Sequence, residues 1–237
     1  MKNIFISLLS VILGNRFVGF HGFRLNKYII MVSGIVENDS KILDVGAGQC
    51  YYKKYFSHAQ YVSQDLCIGD KKWDYSCVDI ISEIYNIPVE NESFDYLLCT
   101  QVLEHLKYPN QAFKEFSRIL RKGGKLFLTV PLTWAEHQKP HDYFRYTQFS
   151  LKMLAEEHNF EVESIEKEGG MFITNNFMFF DQLPYLFYNR GLTNTARAFK
   201  IFLYPITFFM GFIAYFLDKL DKEKDLTLQY ECIFIKK

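Results

Sequence analysis

The 237-residue sequence lacks any imbalance of charge: 27 lysines and arginines face 27 aspartates and glutamates. A nucleic-acid-binding surface ordinarily shows as a basic excess, so no nucleic-acid partner is expected. The sequence also lacks paired cysteines. Cys50, Cys67, Cys77, Cys99 and Cys232 form no CxxC and no zinc-like spacing, which excludes the common structural zinc sites. Four of the five lie in apolar or strand-like surroundings and read as reduced, mostly buried thiols of a cytosolic protein. There is no internal repeat, no low-complexity tract and no Pro/Gly/Ser linker. Met1-Lys2-Asn3 and the apolar run 4–13 look like the front of a signal peptide, but no small-x-small cleavage site follows. Secretion is therefore not expected; an N-terminal helix, packed on the domain or lying on a membrane surface, is.

Hydrophobic residues make up 49% of the chain, enough for a sizeable core. Short apolar runs bounded by turn signals predict strands at 41–46, 61–66, 94–101 and 125–130, each covered on both faces. Helical periodicity lies between them. At 109–121, Phe113, Phe116 and Leu120 share a face, with Pro109 in the first turn and Gly123-Gly124 as the stop. At 148–158, Leu151, Leu154, Ala155 and His158 do so behind Thr147 as N-cap. Strands alternating with helices imply right-handed crossovers, hence a doubly wound α/β fold with a mostly parallel sheet. Further strands are expected at 160–167 and 227–236. The intervening segment 171–226 is too long for a turn and is expected to have structure of its own. The expected organisation is an apolar extension (1–39), a core (40–170), an aromatic-rich helical insertion (171–226) and a last core strand (227–237).

The central chemical signal is Ile42-Leu43-Asp44-Val45-Gly46-Ala47-Gly48-Gln49-Cys50, a buried strand running into a glycine turn expected to open a helix. Glycines there let backbone approach a ligand closely. Asp65 stands at the end of the next strand, where an acid accepts hydrogen bonds from both hydroxyls of an adenosine ribose. Asp79 is expected to end a third strand and to meet an adenine edge, with Ile80 against the ring. An Asp in such a place also simply caps turns, and that role is open for both Asp44 and Asp79.

These residues, with Ile-Pro-Val-Glu-Asn-Glu-Ser-Phe-Asp (87–95), Gln-Val-Leu-Glu-His-Leu (101–106), Glu115 to Leu120 and Arg-Lys-Gly-Gly-Lys-Leu-Phe-Leu-Thr-Val-Pro (121–131), resemble in order the class I S-adenosylmethionine-dependent methyltransferases. The resemblance covers roughly residues 40–170 and the last strand. It implies a seven-stranded, Rossmann-like sheet whose last strand is antiparallel, and S-adenosylmethionine as cofactor. Asp44 with the backbone of Gly46, Ala47 and Gly48 would hold the methionine amino group. Asp65, followed by Leu66, would bind the ribose, and Asp79 and Ile80 the adenine. Gln101 would border the methyl group. Cys50 departs from the pattern, standing where many members have a third glycine. Glu104 and His105 look like an acid/base pair, but in this family the Glu-His-Leu run is usually part of the fold.

A second constellation, His137-Gln138-Lys139-Pro140-His141-Asp142-Tyr143-Phe144-Arg145-Tyr146-Thr147, follows the fifth strand, at the sheet edge where open α/β proteins bind ligands. It resembles a segment of bacterial family members linked to surface-glycan or secondary pathways. His137 or His141 would take a proton from an acceptor and Tyr143 would help orient it, or else Asp142 and Arg145 merely tie the loop down. His137, His141 and Asp142 do not make a tight ligand set, so no metal is expected.

Residues 201–217 carry no charge, and over that stretch a helix would reach roughly 25 Å, short of a bilayer core. A lid buried on the core, a helix lying on a membrane surface and a homodimer interface all fit. Phe17, Phe20 and Phe23, with the aromatics of 172–188, would line an acceptor pocket or fill a core. The expected activity is methyl transfer to a small-molecule or lipid- or glycan-linked acceptor, in the cytoplasm or at the inner face of the membrane. A non-catalytic partner protein of the same fold, and an NAD(P)-dependent oxidoreductase, are the competing expectations. The spacing disfavours the latter, because Tyr51 stands at the third glycine position.

Overall fold

A computed structural model of the chain describes residues 20–69, 72–188 and 190–237. The expectations for the run 4–13 and for Phe17 lie outside them. The described residues divide into two compact units, one of residues 28–166 and 229–237, the other of residues 20–27 and 167–228.

The first unit carries a seven-stranded sheet of order β3-β2-β1-β4-β5-β7-β6. Its strands are β1 (Lys41–Val45), β2 (Gln60–Asp65), β3 (Ile80–Ile81), β4 (Phe94–Thr100), β5 (Leu120–Pro131), β6 (Phe160–Glu168) and β7 (Gln229–Lys236). β1 pairs in parallel with β2 and β4, β2 with β3, and β4 with β5; β7 runs antiparallel to β5. The mostly parallel doubly wound sheet expected from the sequence is thus present. The order turns outward in both directions from β1 and β4, which makes their carboxyl ends the switch point where such sheets bind ligands.

The two-residue period of the strands sorts the core onto two faces. Leu43, Leu97, Cys99, Leu126, Leu128, Val130, Cys232 and Phe234 join one apolar cluster, while Ile42, Leu98, Phe127 and Ile233 join another. Helices α2 (Pro109–Ile119) and α3 (Gln148–Glu157) cover the first face through Phe113, Phe116, Leu151 and Leu154. Helix α1 (Phe20–Ser33) brings Tyr28, Ile29 and Val32 to the second. There the Tyr28 hydroxyl donates to the Cys232 carbonyl at 2.7 Å, so the buried phenol is satisfied.

Thr147 caps α3 as expected, in a reciprocal box with Ser150. Helix α2 stops earlier than the glycines suggest. Leu120 is already extended and begins β5, and Gly123, at φ +76°, lies where the pairing of β5 with β4 shifts register. The Ile-Pro-Val-Glu-Asn block is a structural tether: Arg118 donates to the carbonyls of Ile87 and Val89, to Asn91 and to Glu115, which in turn accepts from the Ile87 N–H.

Two local expectations fail. No α-helix follows the glycine turn. Cys50 is in the left-handed region at φ +52°, which breaks helical propagation, and only a single tight turn forms at Lys53–Tyr55. Asp79 precedes β3 instead of ending it, because Ile80 pairs with Gln64 and leaves Asp79 opposite Ser63.

The second unit holds α4 (Met171–Gln182), α5 (Tyr185–Tyr188) and α6 (Thr193–Leu217). Asp218, just beyond α6, accepts from the N–H groups of Gly170 and Ile173, and Asp221 accepts from that of Met171, which caps the start of α4. Helix α6 begins eight residues before the uncharged run and has 25 residues, so it reaches about 37 Å and not 25 Å. With its last turn, Thr193–Leu220 is long and apolar enough to cross a membrane by length and composition, and 28% of its most apolar window is buried.

Candidate cofactor and acceptor site

The turn after β1 is built by backbone demands. Gly46 has φ +74° and Gly48 φ +53°, and a Cβ on Gly46 would sit 2.5 Å from a Val102 methyl. Only glycine meets both conditions at position 46. The N–H groups of Gly46 and Ala47 both donate to the Gln64 carbonyl, at 2.8 and 3.0 Å, and that of Gly48 donates to Asp65 at 2.8 Å. The turn's donors are therefore spent inside the protein. The Gly46 carbonyl accepts none of the described hydrogen bonds, so the turn offers a ligand an acceptor.

Asp44 is buried on β1, and its Oδ2 accepts from the Tyr61 hydroxyl, which leaves Oδ1 for a ligand. Burial pushes this carboxyl up to about 7, against the lowering by the Tyr61 hydrogen bond and with a further rise from the Asp65 charge. Asp65 accepts from the Gly48 N–H on one oxygen and from the Cys67 N–H, at 2.6 Å, on the other. Each carboxylate oxygen has capacity for a second donor, such as a ribose hydroxyl. Leu66 follows it, half-buried. Asp79 is fixed by Ser63, whose N–H and hydroxyl both reach Oδ2 at 2.9 and 2.8 Å. Its Oδ1 makes no hydrogen bond among the described residues. Ile80 beside it is half-buried.

Gln101 directly follows β4. It has φ +56°, costly for a residue with a side chain and common where function requires strain. Thr129 holds it from both sides, through its carbonyl at 2.9 Å and its hydroxyl at 3.1 Å.

Sequence reasoning missed two features here. Trp73 lies against Gly48, and Tyr75 packs 6.1 Å from Trp73 between ring centres. These aromatics stand in an irregular segment whose lack of periodicity gave no signal. Cys50 and Cys77 are joined as a disulfide with Cα atoms 6.3 Å apart, while Cys67, Cys99 and Cys232 are free. The expectation of reduced thiols is corrected at Cys50 and Cys77. The bridge ties the glycine turn to the segment that leads into Asp79.

The loop after β5 is locked by charge. Arg145 forks onto Asp142 at 2.7 and 2.8 Å and also reaches the carbonyls of Trp134, Ala135 and Phe144. This guanidinium holds the Asp142 carboxyl well below the usual range. Asp142 in turn accepts the His137 N–H at 2.9 Å. His141 is exposed, with Nδ1 3.0 Å from the Tyr143 hydroxyl. The Tyr143 and Phe144 N–H groups donate to the Glu104 carbonyl, which ties this loop to the short helical turn Leu103–His105 that follows β4. The structural role of Asp142 and Arg145 is therefore real. His137 is only partly exposed and packs its ring 4.7 Å from His105. Glu104 is fully buried, which pushes its carboxyl up to about 8, partly offset by its own N–H and by Arg145.

The residues present fit a cofactor that carries an ammonium group, a ribose and an adenine, each opposite an acid. Residues 43–128 match the methyltransferase domain family. A malonyl-acyl-carrier-protein O-methyltransferase of Hahella chejuensis is 31% identical over 102 residues, 39% of this chain and 37% of that one. The chain spans only about two fifths to half of the curated relatives it matches. A phosphoethanolamine N-methyltransferase of Haemonchus contortus, solved in complex with S-adenosyl-L-methionine, superposes with TM-score 0.54 at 17% identity over 90% of this chain and 52% of that one. The cyclase SpnF superposes with TM-score 0.59 at 16% identity over 90% of this chain and 80% of that one. The sheet order and the glycine turn agree with that matched domain, and in both the chain is similar to the class I S-adenosylmethionine-dependent methyltransferases.

Proposed function

We propose that the protein transfers the methyl group of S-adenosylmethionine to a small-molecule or lipid- or glycan-linked acceptor. The observation that carries this reading is the trio Asp44, Asp65 and Gly48 at the carboxyl ends of β1 and β2, with Asp65 already clamped onto the Gly48 N–H. Asp44 and the Gly46 carbonyl would hold the amino group, Asp65 the ribose hydroxyls, and Asp79 and Ile80 the adenine. Gln101 would border the methyl group. The sulfonium of the bound cofactor supplies an electrophilic methyl. The protein's work is to bring an acceptor atom into line at about 3–3.5 Å. His141, with Tyr143 against it, would take the acceptor's proton if the acceptor is a hydroxyl or an ammonium.

The turn also argues against a dinucleotide. A pyrophosphate needs free N–H groups at a helix start. Here the Gly46, Ala47 and Gly48 donors are engaged and no α-helix follows. A cyclase shares the fold, so a non-methylating use of the cofactor site is the second reading. The exposed apolar side of α6, including Phe202, Phe209 and Phe212, supports an acceptor presented at a membrane surface. A test is incubation with tritium-labelled S-adenosylmethionine and cell extract, followed by separation of lipid, polysaccharide and small-molecule fractions. Label should enter one of these fractions, and only with active protein. A folded, cofactor-binding protein that labels none of them favours the second reading.

A further inference from the structure

The geometry points to a divalent transition-metal site, zinc first among candidates, formed by Glu104, His105 and His137. One ligand atom from each lies within 4.8 Å of the other two. A tetrahedral shell with metal–ligand bonds of about 2.0–2.2 Å spaces its ligand atoms roughly 3.3–3.6 Å apart, so an ion would draw these atoms together through small side-chain movements. Two imidazoles and one carboxylate form a known three-ligand set that leaves further positions open.

Three observations separate this cluster from an ordinary buried patch. First, neither carboxylate oxygen of Glu104 meets a hydrogen-bond donor of another residue, although the side chain is fully buried. A buried carboxylate without partners is costly unless something positive faces it. Second, His105 directs Nδ1 to the His141 carbonyl at 2.6 Å, while its buried Nε2 has no hydrogen-bond partner and lies 3.8 Å from Glu104. An Nδ1–H donated to a carbonyl fixes the tautomer whose Nε2 carries the lone pair, as in metal-bound histidines. Third, His137 directs Nδ1 toward the Ala135 carbonyl at 3.2 Å and the Asp142 carboxylate at 3.4 Å, so Nε2 is the nitrogen left for a ligand. Each imidazole thus has the outer acceptor that a metal-bound histidine uses.

The set weighed from sequence, His137, His141 and Asp142, is not the one the fold assembles. Arg145 occupies Asp142, and His141 turns to Tyr143. The 31 residues between His105 and His137 are closed into a loop by the attachment of Tyr143 and Phe144 to the Glu104 carbonyl. The cluster lies three residues past Gln101, on the acceptor side of the proposed cofactor site. An ion there could take an acceptor oxygen as a further ligand and make it a better nucleophile. That last role rests on the methyltransferase reading; binding of the ion does not.

The test is titration of the metal-free protein with Co²⁺, read by its visible absorption, and with Zn²⁺ in competition with a chromophoric chelator. Wild type, Glu104→Gln, His105→Ala and His137→Ala are each checked for S-adenosylhomocysteine binding. One ion per chain is expected, with affinity reduced at least about 10-fold to 100-fold in every variant, since loss of even an outer partner costs that much. His137 is partly exposed, so its variant keeps the test open if Glu104→Gln fails to fold. Absence of Co²⁺ and Zn²⁺ binding by wild type that still binds S-adenosylhomocysteine would overturn the site. So would binding unchanged in folded His105→Ala and His137→Ala. Loss of S-adenosylhomocysteine binding by wild type with the metal retained would instead count against the methyltransferase reading alone.

Discussion

Cofactor affinity should depend on pH through Asp44. Its carboxyl is buried and is pushed up to about 7 in the free protein. The methionine ammonium of the cofactor favours the charged form, so binding must pull this pKa down and release a proton wherever Asp44 starts protonated. The sign follows: affinity rises with pH up to about 7 and falls below it. With a free-state pKa of 7, the ionised fraction is about 0.76 at pH 7.5 and about 0.03 at pH 5.5. The dissociation constant of S-adenosylhomocysteine should therefore increase roughly 25-fold over that interval, about 1.9 kcal/mol. Calorimetry at each pH, in two buffers of different ionisation enthalpy, reads both the affinity and the proton released. At pH 5.5 nearly one proton should leave per cofactor bound. Asp44→Asn should bind weakly with little pH dependence. A flat wild-type profile, or the same slope in Asp44→Asn, would refute the assignment of Asp44 to the amino group.

Other perturbations test other parts of the account. Gly46→Ala places a methyl 2.5 Å from Val102 at φ +74°, so it should cost about 2 kcal/mol and lower the melting temperature by about 4–8 °C; an unchanged melting curve would contradict that geometry. Differential alkylation and mass spectrometry should show Cys50 and Cys77 protected together until reduction. Their bridge closes a separation of 27 residues, worth roughly 3–4 kcal/mol by chain entropy, so Cys77→Ala should be less stable and bind S-adenosylhomocysteine more weakly. If alkylation labels both cysteines without reductant, the bridge is absent. Co-sedimentation with vesicles of phosphatidylcholine and phosphatidylglycerol should retain the full chain, and Phe209→Glu should weaken retention about tenfold or more. Wild-type protein that stays in the supernatant would count against a membrane-facing α6.

What the sequence disclosed and what it hid divide along physical lines. The glycine turn, Asp65 and the strands around them were legible because strand period and turn chemistry are local. Thr147 was legible for the same reason, since a cap acts over three residues. The missing helix after Gly48 was not, because Cys50 takes the left-handed region under the demands of its surroundings. The Cys50–Cys77 bridge hid behind a spacing that matches no motif. Trp73 and Tyr75 sit in a segment without a period. Glu104 and His105 were visible but looked like packing. Only the return of the chain, which sets His137 beside His105 and leaves Glu104 buried without a donor from another residue, gives them a chemical identity. The full reach of α6 was not legible from its uncharged stretch alone, because the helix also takes in Arg197 and Lys200.

The central claim is that Asp65 and the glycine turn hold S-adenosylmethionine. Calorimetric titration of the purified chain with S-adenosylhomocysteine, beside NADH and beside Asp65→Ala, tests it most directly. Saturable one-to-one binding by wild type, weakened at least about tenfold by Asp65→Ala and with no heat from NADH, is the expected result. A folded wild-type protein that fails to bind S-adenosylhomocysteine, or binds it equally well without Asp65, would contradict the account.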